Sequence, residues 1–208
     1  MWRSSWRKFL PSLAAALGVG AALAVPAVAA TVTAAQYGFS FSLPPRWTQI
    51  PLDSKDIGAF ISAAAKGDPS MENVLDQQAV QAGKKGLKIF AVGPVSGDFF
   101  PNMNIAVASA AGTPTGSAFI DLMTAEVKLT LTEAGAMQLK VVPTHIPLGP
   151  AVQATYKLQF NLWSRVFPVY GLQFYLEHGP RLYVITFSAV SPAEDRATAH
   201  IVDGTWRW

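Results

Sequence analysis

The second half of the chain alternates apolar and polar residues with a period of two, and this pattern limits the fold more than any other feature. Between Ala151 and Asn161 the alternation has no break, and Met137–Val142, Tyr170–Leu176 and Leu182–Ala189 have the same period. Successive side chains of a strand point to opposite faces, so each segment is predicted to be a strand with one buried face. In the longest segment the residues expected to face inward are Val152, Ala154, Tyr156, Leu158 and Phe160.

The dipeptide Gly179-Pro180 marks the turn between the last two of these strands. A tight turn and a four-residue loop give the same register, in which the apolar faces of the two strands coincide. The predicted cross-strand pairs are Leu172 with Phe187, Phe174 with Ile185, and Leu176 with Tyr183. Consecutive strands joined in this way form an antiparallel sheet.

Shorter strands and helices are predicted in the first half. A strand over Tyr37–Leu43 ends at Pro44-Pro45, and Trp47 is expected to fold back onto the core. Two helices are predicted between Asp53 and Gly83, with a capping residue at each start and a glycine at each end.

Two further strands and two helices complete the pattern. The strands Leu87–Val92 and Met103–Ala110 precede a helix that starts at Thr115 or Ser117 and ends at Gly135. The last helix opens on the capping box Ser191-Pro192-Ala193-Glu194 and ends near Gly204. The order is then strand, two helices, two strands, helix, four strands, helix. This order predicts an α+β fold in which an antiparallel β-sheet is flanked by helices on both faces, a three-layer α-β-α sandwich.

The first 29 residues have the organisation of a cleavable secretory signal. A basic segment, Met1–Lys8, precedes an Ala-rich apolar stretch, Phe9–Ala24, and Ala27-Val28-Ala29 supplies small residues where a signal peptidase cleaves. We expect residues 1–29 to be removed and residues 30–208 to form one extracytoplasmic domain, periplasmic or secreted. The alternative is an uncleaved anchor over Phe9–Ala30, which is long enough to span a bilayer but contains two prolines and two glycines.

Charge and cysteine content exclude several classes of function. The whole chain has a formal net charge of +3, but Arg3, Arg7 and Lys8 lie in the predicted leader, which has no acidic residue. The remainder is near neutral, which removes the electrostatic case for a nucleic-acid partner. The chain has no cysteine and therefore no disulfide, zinc–thiolate site, thiol nucleophile or lipobox. After cleavage we expect no stable membrane insertion, because no other segment approaches 18 apolar residues.

The sequence contains no recognised motif for catalysis or metal binding. HExxH, GxSxG, P-loop and GxGxxG patterns are absent from it. His145, His178 and His200 are far apart along the chain, and Glu194-Asp195 fall in the first turn of a helix, where the helix dipole explains acidic residues. We therefore predict no enzyme activity, no metal site and no cofactor.

The best candidates for a partner-binding surface are aromatic residues in predicted loops and at the chain end. Large apolar groups in such places often mark a contact surface. The alternative is that they close the open ends of the sandwich. The candidates are Phe99, Phe100, Trp163, Phe167, Trp206 and Trp208.

Four segments carry a resemblance to a known family. They are Phe39–Trp47 (FSFSLPPRW), Pro101–Val107 (PNMNIAV), the strand pair Gly171–Phe187 and the end of the last helix, Ile201–Trp206 (IVDGTW). Together they resemble the PsbP-like superfamily, in particular its exported bacterial DcrB-like and mycobacterial lipoprotein-like members. The resemblance implies an antiparallel sheet between helices and a non-catalytic role in binding or assembly.

The chain departs from that family at three points. The commonest family form has Gly at the position of Arg46 and Ser at the position of Gly204. The lipoprotein members carry a cysteine at the mature N-terminus, and because this chain has none, membrane tethering is not carried over.

Three functions remain open at this point. The first is an exported, non-catalytic binding or assembly factor whose partner is another envelope or secreted protein. The second is a carrier of a small apolar ligand, which needs an enclosed cavity of about 300 Å³ or more. The third is a hydrolase with an unrecognised site, which needs a cleft where an acid or base of shifted pKa meets a nucleophile.

Overall fold

The computed structural model describes residues 30–50, 52, 87–94, 101–162 and 165–208, with the backbone alone at 160–162 and 165. The two predicted helices between Asp53 and Gly83 lie outside the described residues, as do Phe99, Phe100 and Trp163. The described elements are β1 (Thr31–Ala34), β2 (Phe39–Ser42), β3 (Thr48–Gln49), β4 (Leu87–Val92), β5 (Asn102–Ser109), α1 (Ser117–Glu133), β6 (Met137–Ile146), β7 (Gly149–Leu162), β8 (Arg165–His178), β9 (Arg181–Ala189) and α2 (Pro192–Thr205).

Seven of the described strands form one sheet in the order β3-β4-β5-β9-β8-β7-β6, and every neighbouring pair is antiparallel. The predicted register of the β8–β9 hairpin is confirmed at all three pairs, and the turn lies between His178 and Arg181. The expected α+β class with an antiparallel sheet is therefore confirmed.

One face of this sheet is covered by a small β-hairpin together with α2. β1 and β2 pair with each other, and Val32, Phe39 and Phe41 pack with the sheet residues of one apolar cluster. Ala199 and Val202 of α2 belong to the same cluster. We call this side of the sheet the hairpin face. Its principal sheet residues are Met103, Ile105, Leu172, Phe174, Ile185 and Phe187.

The opposite side of the sheet, the α1 face, packs against α1. The buried apolar residues of α1 are Phe119, Met123, Val127 and Leu131, spaced at three and four residues as predicted. They form a second apolar cluster with sheet residues whose side chains point away from the hairpin face. These sheet residues include Val152, Ala154, Tyr156, Leu158, Tyr175 and Val184. The two clusters explain why β9 is buried from Leu182 to Ala189.

The start of α2 has the helix cap that the sequence around Ser191 predicted. The Ser191 hydroxyl accepts a hydrogen bond from the Glu194 N–H at 3.3 Å and Pro192 starts the helix. At the other end the Thr205 hydroxyl accepts from the Ser42 N–H at 2.9 Å, and Arg207 pairs with Ser40 of β2. The last residues therefore pack along an edge of the hairpin.

The sequence pattern missed β1 and β3 and misjudged the start of β2. Thr31–Ala34 is a four-residue strand of alternating exposure that directly follows the Ala-rich leader. Tyr37 was predicted to be in β2, but it lies in a short 3-10 turn that ends at Gly38, whose φ of 81° suits glycine.

Candidate functional site

Trp206 is not a surface residue, and its interpretation as an exposed contact residue is wrong. Its side chain is 4% exposed. Its ring stacks on Phe39 at 4.5 Å and on Phe41 at 5.2 Å between ring centroids. Trp206 therefore closes the end of the core on the hairpin face, as the alternative interpretation stated.

Trp208 lies two residues further on and is 41% exposed. Its ring stacks on that of His178, with centroids 4.0 Å apart and planes 3° apart. It also meets Tyr183 edge-on at 5.1 Å. Half of Trp208 is thus used to cover the β8–β9 turn, and the other half remains open to a contact.

Phe167 lies where β7 and β8 extend beyond their neighbouring strands, a feature that the sequence pattern did not predict. β6 pairs with β7 only as far as Lys157, and β9 pairs with β8 only from Tyr170. Beyond these points residues 158–162 and 165–169 pair with each other alone, among the strands that the structure describes. We call this two-stranded extension the arm. Its five residue pairs have a length of about 17 Å at ~3.4 Å per residue.

The arm changes from buried at its base to exposed further out. Leu158 and Val169, at the base, are 7% and 0% exposed, whereas Val166 is 57% exposed. Phe167 is half-buried, and Pro168 is exposed. Between positions 158 and 169 the sequence LQFNLWSRVFPV carries a single charge, Arg165. The arm is therefore a mainly apolar ribbon.

A second candidate site is a hollow of about 140 Å³ where α2 begins beside β7 and β8. We call it the α2 hollow. Its lining includes Gln138, Tyr156, Tyr170, Gly171, Asp195 and Arg196.

Gly171 allows Tyr156 to lie across the neighbouring strand. A Cβ at position 171 would come within 2.6 Å of the Tyr156 hydroxyl oxygen and closer still to the ring. Tyr156 is 3% exposed, and its hydroxyl has no hydrogen-bond partner. Burial, more than the nearby carboxyl of Asp195, raises the pKa of Tyr156 far above its usual value, so the phenol stays protonated.

Asp195 is the other buried polar residue of the α2 hollow. The helix dipole explains an acidic residue in the first turn of α2, but it does not explain why this side chain is buried. Its side chain is 3% exposed, and Oδ1 has no hydrogen-bond partner. Burial, followed by the charge of Glu194, raises the pKa of Asp195 to about 8 against the opposing effect of Arg196. No hydrogen bond joins Asp195 to Tyr156, because the Tyr156 hydroxyl has none.

A row of buried polar side chains runs from the α2 hollow across the α1 face. Gln173 donates to the Thr186 hydroxyl at 3.0 Å and accepts from the Tyr175 hydroxyl at 2.6 Å. Gly171 pairs with Ser188, whose hydroxyl is buried and has no hydrogen-bond partner. The sequence signal for this row is the polar residues at alternate positions of β9, Thr186 and Ser188.

Histidines and acidic residues do not converge in the described part of the chain. No three of them there are placed as metal ligands. His145, His178 and His200 are all exposed. Among the described residues, no helix is both long and apolar enough to cross a membrane.

Comparison with known proteins finds similarity at the level of structure. No protein-family model matches the sequence, and no curated protein matches it. Among solved structures, the cyanobacterial PsbP (CyanoP) of Synechocystis is similar at 13% identity and a TM-score of 0.49, over 92% of this chain and 98% of that chain. LpqN of Mycobacterium tuberculosis, described as involved in cell envelope biogenesis, is similar at 10% identity and a TM-score of 0.42, over 88% of this chain and 84% of that chain. The chain resembles PsbP-like structures. This likeness concerns the fold.

Proposed function

We propose that this protein is an exported, non-catalytic binding or assembly factor of the PsbP-like type, and that it contacts another envelope or secreted protein through the arm. The observation that carries the proposal is the extension of β7 and β8 beyond both neighbouring strands. An unpaired strand edge presents free N–H and C=O groups, and proteins normally shorten, charge or cover such an edge. Among the described strands none pairs with either edge of the arm, and the arm carries apolar residues, which suits a surface that a partner covers.

The local chemistry of the arm supports this use. Val166 is more than half exposed, and Phe167 keeps part of its ring accessible. Pro168 cannot donate a backbone hydrogen bond, which limits uncontrolled strand addition on the β8 side. A partner would therefore bind the arm through apolar side chains, with strand pairing restricted to the β7 edge.

Export is part of the proposal and rests on the leader. The first described hydrogen bond of the domain joins the Leu43 N–H to the Ala30 carbonyl at 2.8 Å, and β1 starts at Thr31. The first described strand thus starts within two residues of the predicted cleavage site, so removal of residues 1–29 would leave every described element in place. N-terminal sequencing of the protein from the extracytoplasmic fraction is expected to begin at Ala30 or Thr31. An uncut chain there would contradict cleavage.

We also propose that the domain is a three-layer α-β-α sandwich. The support is that α1 and α2 belong to different apolar clusters on opposite sides of the sheet. The small β1–β2 hairpin lies with α2 in the layer that covers the hairpin face.

The same geometry favours binding over the two alternatives. In the part of the chain that the structure describes, the α2 hollow, at about 140 Å³, is smaller than the ~300 Å³ that an apolar-ligand carrier needs, and polar groups line it. A hydrolase needs a nucleophile hydrogen-bonded to its base, but the buried hydroxyls of Tyr156 and Ser188 have no such partner. These observations support a protein that recognises a partner without reacting with it.

The test is to remove the arm and leave the sheet intact. Residues 159–168 are replaced by Asn-Gly, a dipeptide that forms two-residue hairpin turns. The shortened protein is expected to fold and be exported but to lose the protein that copurifies with the unaltered chain. The matched control is Leu129→Asp, which changes an exposed apolar residue of α1 and is expected to keep that protein. Equal retention by both variants would contradict binding through the arm.

A further inference from the structure

The face of α2 that packs on the sheet is held by few apolar side chains. Its buried residues are Asp195, Thr198, Ala199, Val202 and Asp203, and of these only Ala199 and Val202 belong to an apolar cluster. The buried face of α1, by contrast, has a phenylalanine, a methionine, a valine and a leucine. Burial of apolar surface is the main force that holds an element in a fold, and elements with little of it open locally most easily. Of the two described helices, α2 is therefore the more weakly attached.

Asp195 and Asp203 place two carboxyl groups in the interface between α2 and the sheet. Their side chains are 3% and 9% exposed, and Oδ1 of each has no hydrogen-bond partner. A buried charge without a partner costs free energy, so such a carboxyl either stays protonated or leaves the interior. Burial is the largest cause that raises the pKa of Asp195 to about 8 and that of Asp203 to about 6. A rise in pH therefore acts against the packing of α2.

The charged groups around α2 do not offset the burial of these two carboxyls. The charge of Arg196 opposes the rise in the pKa of Asp195, and burial outweighs it. The charge of His200 likewise opposes the rise in the pKa of Asp203. The elements that α2 packs against most are β2, β8 and β9, and β2 has no titratable residue. The other charged or titratable side chains on α2 and on the elements beside it are Glu194, Tyr156, Tyr170, His178, Arg181, Tyr183 and Arg207.

The sequence of α2 also favours local opening, whereas the residues on either side of the helix are held in place. Ile201 and Val202 are β-branched, and Gly204 is the poorest helix former after proline. Before the helix, β9 is paired with β8 as far as Ala189, and after it Trp206 stacks on two rings of β2. Opening of α2 would therefore leave the sheet and the chain end unchanged.

We propose that α2 is a pH-sensitive latch on the hairpin face. It opens locally as pH rises, because Asp195 and Asp203 lose their protons more readily in water than in the interface, and it packs again as pH falls. Opening uncovers the parts of β8 and β9 on which α2 packs. The inference depends neither on the arm nor on the function proposed for it.

The test is amide hydrogen exchange of the protein, as cells process it, at pH 5, 6 and 7, with each rate corrected for the intrinsic effect of pH. The amides of α2 should be less protected than those of α1 at every pH. Between pH 5 and 7 the protection of α2 should fall about 100-fold through Asp195 and about tenfold more through Asp203. Low urea should leave the exchange of α2 unchanged, since local opening exposes little surface, and should speed that of α1. Equal protection of α1 and α2 at pH 7, or no change in α2 between pH 5 and 7, would overturn the proposal.

Variants assign the pH dependence to the two carboxyls. Asp195→Asn cannot ionise at this position, so only the roughly tenfold fall through Asp203 should remain between pH 5 and 7. The double variant with Asp203→Asn should keep α2 as protected at pH 7 as at pH 5. The matched control, Asp121→Asn on the exposed side of α1, should behave like the unaltered protein. A pH dependence of α2 that persists in the double variant would contradict the assignment. The comparison of α1 with α2 in the unaltered protein needs no variant, so it decides the proposal even if an asparagine variant does not fold.

Discussion

Replacing Asp195 by asparagine is expected to stabilise the protein at pH 8 and to change its stability little at pH 4. In the folded state burial raises the pKa of Asp195 from 3.8 to about 8. Below about pH 4 the group is protonated in both the folded and the unfolded state, so it imposes no cost. Between pH 4 and 8 the unfolded chain releases the proton and the folded chain keeps it, so the free energy of unfolding falls as pH rises.

The loss of unfolding free energy follows from the difference between the folded and unfolded pKa of Asp195. At ~1.4 kcal/mol for each tenfold difference in proton affinity, the loss at pH 8 is on the order of 5 kcal/mol. Asparagine has no proton to release and should recover most of it. Burial also raises the pKa of Asp203, to about 6, and of Glu177 and Glu194, so the unaltered protein alone would report a sum. The difference between the variant and the unaltered protein isolates Asp195.

The assay is urea unfolding at pH 4, 6 and 8 of the unaltered protein, Asp195→Asn and the exposed control Asp121→Asn. The stability gap between Asp195→Asn and the unaltered protein should grow from near zero at pH 4 to several kcal/mol at pH 8, and the control should show no such trend. A gap that is constant with pH, or an Asp195→Asn variant that is less stable at pH 8, would refute the view that burial keeps this acid neutral.

Three further changes test the packing. Gly171→Ala should destabilise by about 1–3 kcal/mol, because the new methyl group meets the Tyr156 ring, and urea unfolding should show the cost reduced when Tyr156→Ala is added. Trp206→Ala should cost about 3–5 kcal/mol by thermal or urea unfolding, since it removes a core residue; a loss below 1 kcal/mol would mean that its ring is not part of the core. Ser191→Ala should cost about 1 kcal/mol in the same measurement through loss of the helix cap, and Ser191→Asp should restore it.

The local signals were sufficient for the hairpin register and for the start of α2. Alternation at Leu172, Phe174 and Leu176 leaves a single register that aligns the apolar faces of β8 and β9, and the structure has that register. Likewise, Ser191 and Pro192 specify a helix start through contacts within four residues. In both cases residues that are near in sequence decide the outcome.

The arm and the α2 hollow depend on where distant elements end, which a local pattern does not contain. Nothing in LQFNLWSRVFPV indicates that β6 and β9 stop short of it. Asp195 has the sequence context of an ordinary first-turn acid, and it is buried because α2 packs against strands that are distant in the sequence. Trp206 was misjudged for the same reason, because its burial comes from β2, more than 160 residues earlier in the chain.

Photo-crosslinking in cells from the arm tests the central claim most directly. A photoreactive amino acid at Val166, which is 57% exposed, is compared with the same group at Leu129, which is 47% exposed on α1. Recognition through the arm predicts one extracytoplasmic protein crosslinked from position 166, lost when Phe167 is replaced by serine, and not crosslinked from position 129. The same products from both positions, or none from position 166, would contradict it.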